Sequence, residues 1–270
     1  MIEFDNKMRV DLMKCNASDV DVARAAWVSN YGEDAKEKDA GRIEGLINFL
    51  YREKHMSPFE HGSFTFFIDV PIFVAREFMR HRTFSFNEVS GRYTQLKPKF
   101  YLPSLDRPLI QQGKIGNYFF TPGTEEQFVK MNVLKKTTAT LAWKHYQEQL
   151  DMGVAREVAR DELPVGTYTQ FYATCNLRNL MQFLTLRTAP NALYEIRDVA
   201  EQMEEYLEEH CPLTYKAFNT ARSEAQIDYK TMYNNLKKEH GELLDAVNEM
   251  KRAEVQSIEL HGFIGDSDRL

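Results

Sequence analysis

SFTFFIDVPIFVAREFMRHR, residues 63–82, predicts a strand that passes directly into a helix. The first eight residues are rich in β-branched and aromatic side chains, which favour strands. Pro71 follows, and proline suits the first turn of a helix because its missing N–H has no partner there. The helix is expected to continue through Arg82, with Arg76 and Arg80 on one face. This stretch therefore predicts a fold that combines strands with helices.

The spacing of apolar residues extends the prediction over the rest of the chain. The expected helices are 18–29 with Ser18 as N-cap, 40–54, 124–152, 155–163, 177–186, 192–209 and 213–222, and the expected strands are 63–70 and 167–174. The segment from residue 83 to about 123 is rich in Pro and Gly and is expected to be irregular. Together these elements predict an α/β protein of the α+β type, with helices packed around a small sheet.

The C-terminal part of the sequence predicts a separate helical segment. Met232, Leu236, Leu243, Val247 and Met250 are spaced by three, four or seven residues, as on one face of an amphipathic helix. The sequence contains no repeat and no Ser- or Gly-rich linker. We therefore expect one domain over residues 1–225 and a helical C-terminal extension, residues 226–270, that is not an independent domain.

Composition limits the class of protein. A chain of 270 residues that is 43% hydrophobic can form a globular core, and its formal net charge of −6 argues against a nucleic-acid partner. No stretch approaches the ~20 apolar residues of a membrane span, and no signal segment is evident. A cytoplasmic location is therefore expected. Three widely spaced cysteines suit reduced thiols, and no metal site is expected.

Arginine is concentrated in two segments that contain no lysine. Residues 71–93 and 153–200 carry Arg76, Arg80, Arg82, Arg92, Arg156, Arg160, Arg178, Arg187 and Arg197. The planar guanidinium group binds phosphate and carboxylate through two hydrogen bonds, whereas lysine is a solvated point charge. Any one of these arginines could form a structural ion pair. The nine together favour a pocket for small anions.

The densest polar cluster is RHRTFSFNEVSGRY, residues 80–93. Structure alone could explain part of it, because Asn87, Ser90 and Gly91 favour turns and Glu88 could neutralise Arg82. That explanation leaves the number of cations unaccounted for. No GxGxxG is present, so a bound dinucleotide would need a non-Rossmann site.

This cluster resembles the defining motif of flavin-dependent thymidylate synthases, in which Arg-His-Arg is followed after seven residues by Ser. The sequence matches further with Asn-Glu before that serine and Gly-Arg-Tyr after it. Additional matches to the family are HMSPFEH at 55–61, PIFVAR at 71–76, REVARDELP at 156–164, NLRNLMQFLTLR at 176–187 and HCPLTYKAF at 210–218. The resemblance covers the chain from about residue 23 to residue 218.

The resemblance implies two sets of ligand-binding residues. The FAD site would consist of His55, Ser57, Arg80, His81, Arg82, Asn87, Glu88, Asn176 and Arg178. The dUMP site would consist of Arg80, Ser90, Gly91, Arg92, Tyr93, Arg160 and Arg187. Among these, Arg187 and Arg80 are expected to stabilise negative charge on the uracil and the flavin, and Ser90 to contact the substrate rather than to attack it.

The resemblance also implies the reaction and the assembly. dUMP would be methylated to dTMP with methylenetetrahydrofolate as carbon donor and NADPH as reductant through FAD, in a homotetramer whose sites are shared between subunits. The sequence departs from the family pattern at Glu77, where relatives usually carry Gln, and at Asn191, Ala192 and Leu193, where relatives often show His and then Ala-Gln. The alternatives are an arginine-rich nucleic-acid-binding protein and a nucleotide-binding protein without turnover.

Overall fold

The computed structural model describes residues 1–37, 43–114 and 117–264. In chain order the elements are β1 Glu3–Asp5, β2 Arg9–Cys15, α1 Asp19–Tyr31, α2 Ile43–Arg52, β3 Ser63–Pro71, α3 Ile72–Phe78, β4 Ser85–Glu88, β5 Lys99–Tyr101, β6 Ile110–Lys114, β7 Asn117–Thr121, α4 Glu125–Asp151, α5 Arg156–Ala159, β8 Tyr168–Asn176, α6 Leu177–Arg187, α7 Tyr194–His210 and α8 Pro212–Ile264. The α+β class predicted from the sequence is confirmed. Short 3-10 helices lie at Gly32–Glu37, Ser57–Glu60 and Arg160–Glu162.

An antiparallel sheet with the strand order β2-β3-β8-β4 forms the centre of the fold. β3 and β8 pair along their whole length, from Ser63 with Asn176 to Pro71 with Tyr168. Alternate residues are buried over 63–68 of β3 and 169–176 of β8, as expected for a sheet that covers a core, and the paired ends of the two strands are buried on both faces. Two smaller sheets pair β1 with β5 in parallel and β6 with β7 in an antiparallel hairpin.

The chain divides into two units, Met1–Phe218 and Asn219–Leu270. The first contains every strand, and its core includes a cluster of aromatic rings around Phe78, whose ring contacts those of Phe84, Phe171 and Phe183 at centroid distances of 5.5, 5.6 and 4.6 Å. The second is helical. No helix within the described residues is both long and apolar enough to cross a membrane.

Several predicted helices are confirmed. Ser18 is the N-cap of α1 and accepts a hydrogen bond at Oγ from the Asp21 amide at 3.2 Å. Thr124 and Gln127 form a capping box at the start of α4, which explains why this long helix could be located from sequence. Of the predicted helix 40–54, residues 43–52 are helical, and residues 40–42 lie outside the described residues.

Other predictions were wrong. The helix expected to continue to Arg82 ends at Phe78, so Arg80 lies in a turn instead of on a helix face with Arg76. The segment predicted to be irregular contains the strands β4 to β7, and the N-terminal residues form β1 and β2. The separately predicted helices 213–222 and 228–260 are one helix, α8. The missed strands are short, and all of them except the β6–β7 hairpin depend on pairing with residues distant in sequence.

Candidate active site

Arg187, at the C-terminal end of α6, is held by the side chains of Glu77, in the last turn of α3, and His81, in the segment that follows α3. Its Nε donates a hydrogen bond to His81 Nε2 at 2.8 Å, and its Nη1 lies 3.1 Å from Glu77 Oε2. The Arg187 side chain is only 20% exposed. Because two of its nitrogen atoms are engaged, the guanidinium plane is fixed, and so are the directions in which its remaining N–H groups can donate.

His81 must be neutral to accept that hydrogen bond. Burial and, as the smaller cause, the positive charge of Arg187 together lower the pKa of His81 to about 4. The imidazole ring packs edge-on against Phe183, with the centroids 4.8 Å apart. Asn179 Nδ2 donates to the Thr83 carbonyl at 3.3 Å and so ties the following loop to α6. Near neutral pH the ring is therefore an uncharged acceptor in a fixed orientation.

Ser90, Gly91 and Arg92 form a tight turn after β4. The carbonyl of Ser90 accepts from the amides of Tyr93 and Thr94, both at 3.0 Å, and its Oγ accepts from the Arg92 amide at 3.3 Å. Gly91 is buried, and a Cβ atom there would lie 3.0 Å from Cδ of Arg160. The absence of a side chain at Gly91 is thus what lets Arg160 pack against the turn.

The two arginines at this turn differ in their surroundings. Arg92 Nε is 2.8 Å from Glu157 Oε2, and both side chains are more than half exposed. Arg160 is half-buried at the end of α5. The Arg92 guanidinium also lies 6.0 Å from the centre of the Tyr93 ring, which is 79% exposed. Four of the predicted dUMP-binding residues, Ser90, Gly91, Arg92 and Arg160, are therefore brought together within one chain.

A third group surrounds the start of α6. Asn176 is the N-cap of this helix, and its Oδ1 accepts from the Asn179 amide at 2.9 Å. Arg178, one residue into the helix, forms an ion pair with Glu60 in the 3-10 helix that begins at Ser57. His55 is exposed and contacts the Phe49 ring edge-on at 5.8 Å.

The remaining residues predicted for the FAD site lie on or beside β4. Asn87 and Glu88 pair with Tyr172 and Phe171 of β8 and are exposed, as are Arg80 and Arg82. Glu88 Oε1 accepts from Thr169 Oγ1 at 2.5 Å. The suggested pairing of Glu88 with Arg82 is thus replaced by a contact across the sheet.

β4 separates the Arg187 group from the Ser90 turn. His81 precedes this strand and Ser90 follows it, and the strand alone spans roughly 10 Å at the usual rise per residue. The register agrees, because Ser85 lies beside Thr174 and Glu88 beside Phe171. Within one chain these two groups are consequently at opposite ends of the strand.

Comparison with known proteins identifies the family. The family model described as thymidylate synthase complementing protein matches residues 11–213. The chain is 49% identical over 228 residues to a flavin-dependent thymidylate synthase of Streptomyces avermitilis, covering 80% of this chain and 93% of the relative, and 45% identical over 224 residues to that of Tropheryma whipplei, covering 80% and 93%. This chain belongs to the family of flavin-dependent thymidylate synthases.

A solved structure supports the same assignment. The crystal structure of a UMP/dUMP methylase, PolB from Streptomyces cacaoi, bound with 5-Br dUMP, superimposes with a TM-score of 0.77 at 44% sequence identity. The match covers 81% of this chain and 97% of that chain. The family prediction made from the motif at residues 80–93 is thereby confirmed.

The departures from the family pattern have structural explanations in part. The charge of Glu77, which stands where relatives usually carry Gln, is neutralised by Arg187. The carbonyl of Asn191 accepts from the Tyr118 hydroxyl at 3.4 Å, which links the β6–β7 hairpin to the loop before α7. Leu193 is the N-cap of α7 and packs on the core.

Sequence reasoning missed the acidic partners of the arginines. Glu60, Glu77 and Glu157 pair with Arg178, Arg187 and Arg92, respectively. Glu60 and Glu157 lie inside the motifs HMSPFEH and REVARDELP, so the matches could have indicated them. The pairings themselves join residues that are distant in sequence, and no local pattern predicts those.

A cavity of about 230 Å³ adjoins the Ser90 turn, where Val89 and Thr94 contribute to its lining. Its lining includes Asp69, Leu96, Lys99 and Tyr168. Lys99 Nζ is 3.1 Å from Asp5 Oδ2 and 3.5 Å from Asp69 Oδ2, and it lies 4.1 Å from the centre of the Tyr168 ring. Among the described residues, one ammonium group thus serves two carboxylates, and Asp69 Oδ1 is buried without a hydrogen-bond partner. The lining contains none of the predicted site residues.

Proposed function

We propose that the chain reductively methylates dUMP to dTMP, with FAD as bound cofactor, methylenetetrahydrofolate as carbon donor and NADPH as reductant. The observation that carries this proposal is the turn of Ser90, Gly91 and Arg92 packed against Arg160. A turn of this kind places a hydroxyl group and backbone N–H groups beside two guanidinium groups, which is the donor set that a phosphate monoester requires. The PolB structure with bound 5-Br dUMP supports a uracil nucleotide as the ligand.

Arg92 and Arg160 are proposed to bind this phosphate in different ways. The Arg92–Glu157 pair is exposed, and such pairs contribute little to stability, so a phosphate can replace the carboxylate at small cost. Arg160 is half-buried and packs on Gly91, which fixes its position before the ligand arrives. Tyr93, exposed beside Arg92, is available to pack on the nucleotide.

Arg187 is proposed to contact the pyrimidine ring. His81 and Glu77 hold its guanidinium, so its free N–H groups can donate to a uracil carbonyl oxygen without reorganisation. Negative charge that develops on the uracil is stabilised by such fixed donors. Arg80 is proposed to support the same charge, and Ser90 to contact the substrate through its hydroxyl.

The residues proposed for the FAD site carry the hydrogen-bonding and charged groups that suit this cofactor. Guanidinium groups of Arg80, Arg82 and Arg178 suit a pyrophosphate, and the other proposed contacts offer acceptors and donors for ring and ribose atoms. Those other contacts are His55, Ser57, His81, Asn87, Glu88 and Asn176. When bound, FAD supplies the hydride that converts the one-carbon unit to methyl. The protein binds and orients the reactants beside it.

We also propose a homotetramer in which sites are completed between subunits. β4 separates the Arg187 group from the Ser90 turn within one chain, so a compact nucleotide would contact Arg187 of one copy and the Ser90 turn of another. α4 supports association because Val129, Val133 and Leu141 are each more than half exposed on this helix. In this proposal residues 1–225 form the catalytic domain, residues 226–270 are an extension, and the enzyme is cytoplasmic.

Flavin spectroscopy tests the proposal. Purified protein should be yellow, and anaerobic NADPH should bleach the flavin at a rate that depends on dUMP. Addition of methylenetetrahydrofolate should then yield dTMP. A yellow protein that binds dUMP without producing dTMP would instead indicate a nucleotide-binding protein without turnover, and a colourless protein that binds neither ligand would refute the proposal entirely.

A further inference from the structure

The central sheet has one face packed on the core and one face whose side chains remain accessible. On β8, Phe171 and Ala173 are 2% and 0% exposed, whereas Tyr172 between them is 44% exposed. Successive residues of a strand point to opposite faces of a sheet, so Tyr172 and the residues in register with it share the accessible face. We give the name open face to the six residues Thr65, Phe67, Ser85, Asn87, Tyr172 and Thr174.

Tyr172 lies at the centre of the open face. Its neighbours across the sheet are Phe67 on β3 and Asn87 on β4, whose Cα atoms are in register with its own. The rings of Tyr172 and Phe67 meet edge-on with their centroids 6.1 Å apart, which restrains the tyrosine ring. Among the described residues, neither the Tyr172 hydroxyl nor the Asn87 side-chain amide has a hydrogen-bond partner. The centre of the face thus presents an aromatic ring beside unpaired polar groups.

A second row of side chains extends the open face along β8. Thr174 lies between Thr65 and Ser85, and the two threonine hydroxyl groups are 3.0 Å apart. Asn176, two residues further along β8, lies on the same face and is the N-cap of α6. At the usual rise per residue, roughly 13 Å along the strand separates Asn176 from the row that contains Asn87. The open face therefore connects Asn87 with Asn176, two of the residues proposed to bind FAD.

The chemistry of the open face suits a planar, uncharged heteroaromatic ring. None of its six side chains is charged, and together they offer two aromatic rings, three hydroxyl groups and one amide. An aromatic surface with a few polar groups that fix orientation is typical of cofactor sites. In FAD the isoalloxazine ring matches this combination, because one edge carries carbonyl and N–H groups and the rest is apolar. An amide side chain can both donate to and accept from such an edge.

We propose that the isoalloxazine ring of FAD lies on the open face, packed against Tyr172, with the Asn87 amide at the polar edge of the ring. This inference rests on the proposed function and adds Tyr172 and Thr174 to the FAD site. The rest of the cofactor runs past Thr174 toward Arg178, whose guanidinium group suits the pyrophosphate. At its other end β4 leads into the Ser90 turn, so the flavin lies beside the nucleotide that it serves.

Replacement of Tyr172 by valine in the full-length chain tests this placement. Valine removes the ring but keeps the preference for a strand. Stacking on an aromatic side chain contributes strongly to the affinity for a heteroaromatic ring, so in Tyr172→Val the dissociation constant for FAD, measured by ultrafiltration, should rise about tenfold or more. A tyrosine in contact with a flavin quenches its fluorescence by electron transfer, so the fluorescence per bound flavin should rise as well.

Two further variants separate the ring from other effects. Tyr172→Phe keeps the stacking surface, so its dissociation constant for FAD should stay within about twofold of the parent. Its bound flavin should nevertheless be more fluorescent, because phenylalanine is not readily oxidised. Phe119→Val is the matched control. Phe119 is 57% exposed on β7, outside the central sheet, and its replacement should alter neither measurement.

A dissociation constant for Tyr172→Val within about twofold of the parent would overturn the placement, as would unchanged fluorescence of the flavin that stays bound. Formation of dTMP by the parent would leave the proposed function standing in either case. A parent chain that binds no FAD would refute the proposed function and the placement together. A change in the mass of the assembly at unchanged affinity for FAD would also overturn the placement, because the open face would then be a contact between copies.

Discussion

Replacement of Arg187 by lysine tests whether the geometry of this side chain, rather than its charge, is required. The guanidinium reaches His81 through Nε and Glu77 through Nη1 at the same time. A lysine ammonium keeps the charge but has no second nitrogen atom, so it cannot hold both partners and still donate to the substrate. The variant therefore loses one fixed, charge-assisted donor in the transition state.

The expected loss follows from that single donor. Removing one preorganised donor to a developing oxyanion typically lowers kcat by about 100-fold to 1,000-fold. Because Arg187→Lys keeps the positive charge, we expect the lower end, about 100-fold in kcat/KM or ~2.7 kcal/mol of transition-state stabilisation. The assay is dTMP formation at saturating methylenetetrahydrofolate and NADPH over a range of dUMP concentrations.

Two measurements make the outcome interpretable. Flavin absorbance should be close to that of the parent protein, because Arg187 is proposed to contact the pyrimidine. Arg24→Lys, in an exposed pair with Asp21 on α1, controls for the general effect of the substitution and should retain full activity. A value of kcat/KM for Arg187→Lys within about threefold of the parent would refute the proposed role of the guanidinium fork.

Four further outcomes are expected. Gly91→Ala forces Arg160 away from the turn, so KM for dUMP should rise about tenfold, and an unchanged KM would exclude a phosphate site there. The unfolded chain takes up a proton at His81 near pH 6.5, whereas the folded chain takes it up only near pH 4. The free energy of unfolding should therefore fall by about 1–2 kcal/mol as the pH drops through that window. Urea unfolding measures this loss, and the loss should be absent in His81→Gln. Asp19→Ala removes the acceptor of three hydrogen bonds from residues 213 and 214 and should lower the free energy of unfolding by about 3 kcal/mol; a loss below about 1 kcal/mol would contradict this. Deletion after Ala225 should leave the protein yellow, whereas a colourless product would show that the extension is needed for flavin binding.

Local sequence signals located the regular parts of the fold. The capping box at Thr124 and the strand–proline–helix pattern around Pro71 depend on neighbouring residues, so the start of each helix was predicted well, although α3 ends at Phe78 and not at Arg82. β4 was missed because its four residues contain turn-forming types and are stabilised by pairing with β8, more than eighty positions away. Propensity cannot detect such a contact.

The candidate site was likewise predicted in part, through local patterns and not through long-range contacts. The motif at residues 80–93 indicated which side chains to consider, and the structure brings Ser90, Gly91 and Arg160 together as expected. The salt bridge between Glu77 and Arg187 was not foreseen, because it joins residues 110 positions apart. Sequence therefore supplied the types of residue in the site, and the folded chain supplied their partners.

The pairing of β3 with β8 has a consequence for biosynthesis. Ser63 is matched with Asn176, and every other pair in this ladder also joins residues about a hundred positions apart. During translation β3 emerges long before β8, so its hydrogen-bonding edge and apolar face stay uncovered while the intervening residues are made. Slower elongation before residue 176, or a shortage of chaperones, should therefore lower the yield of folded protein more than changes that delay synthesis of the C-terminal helix.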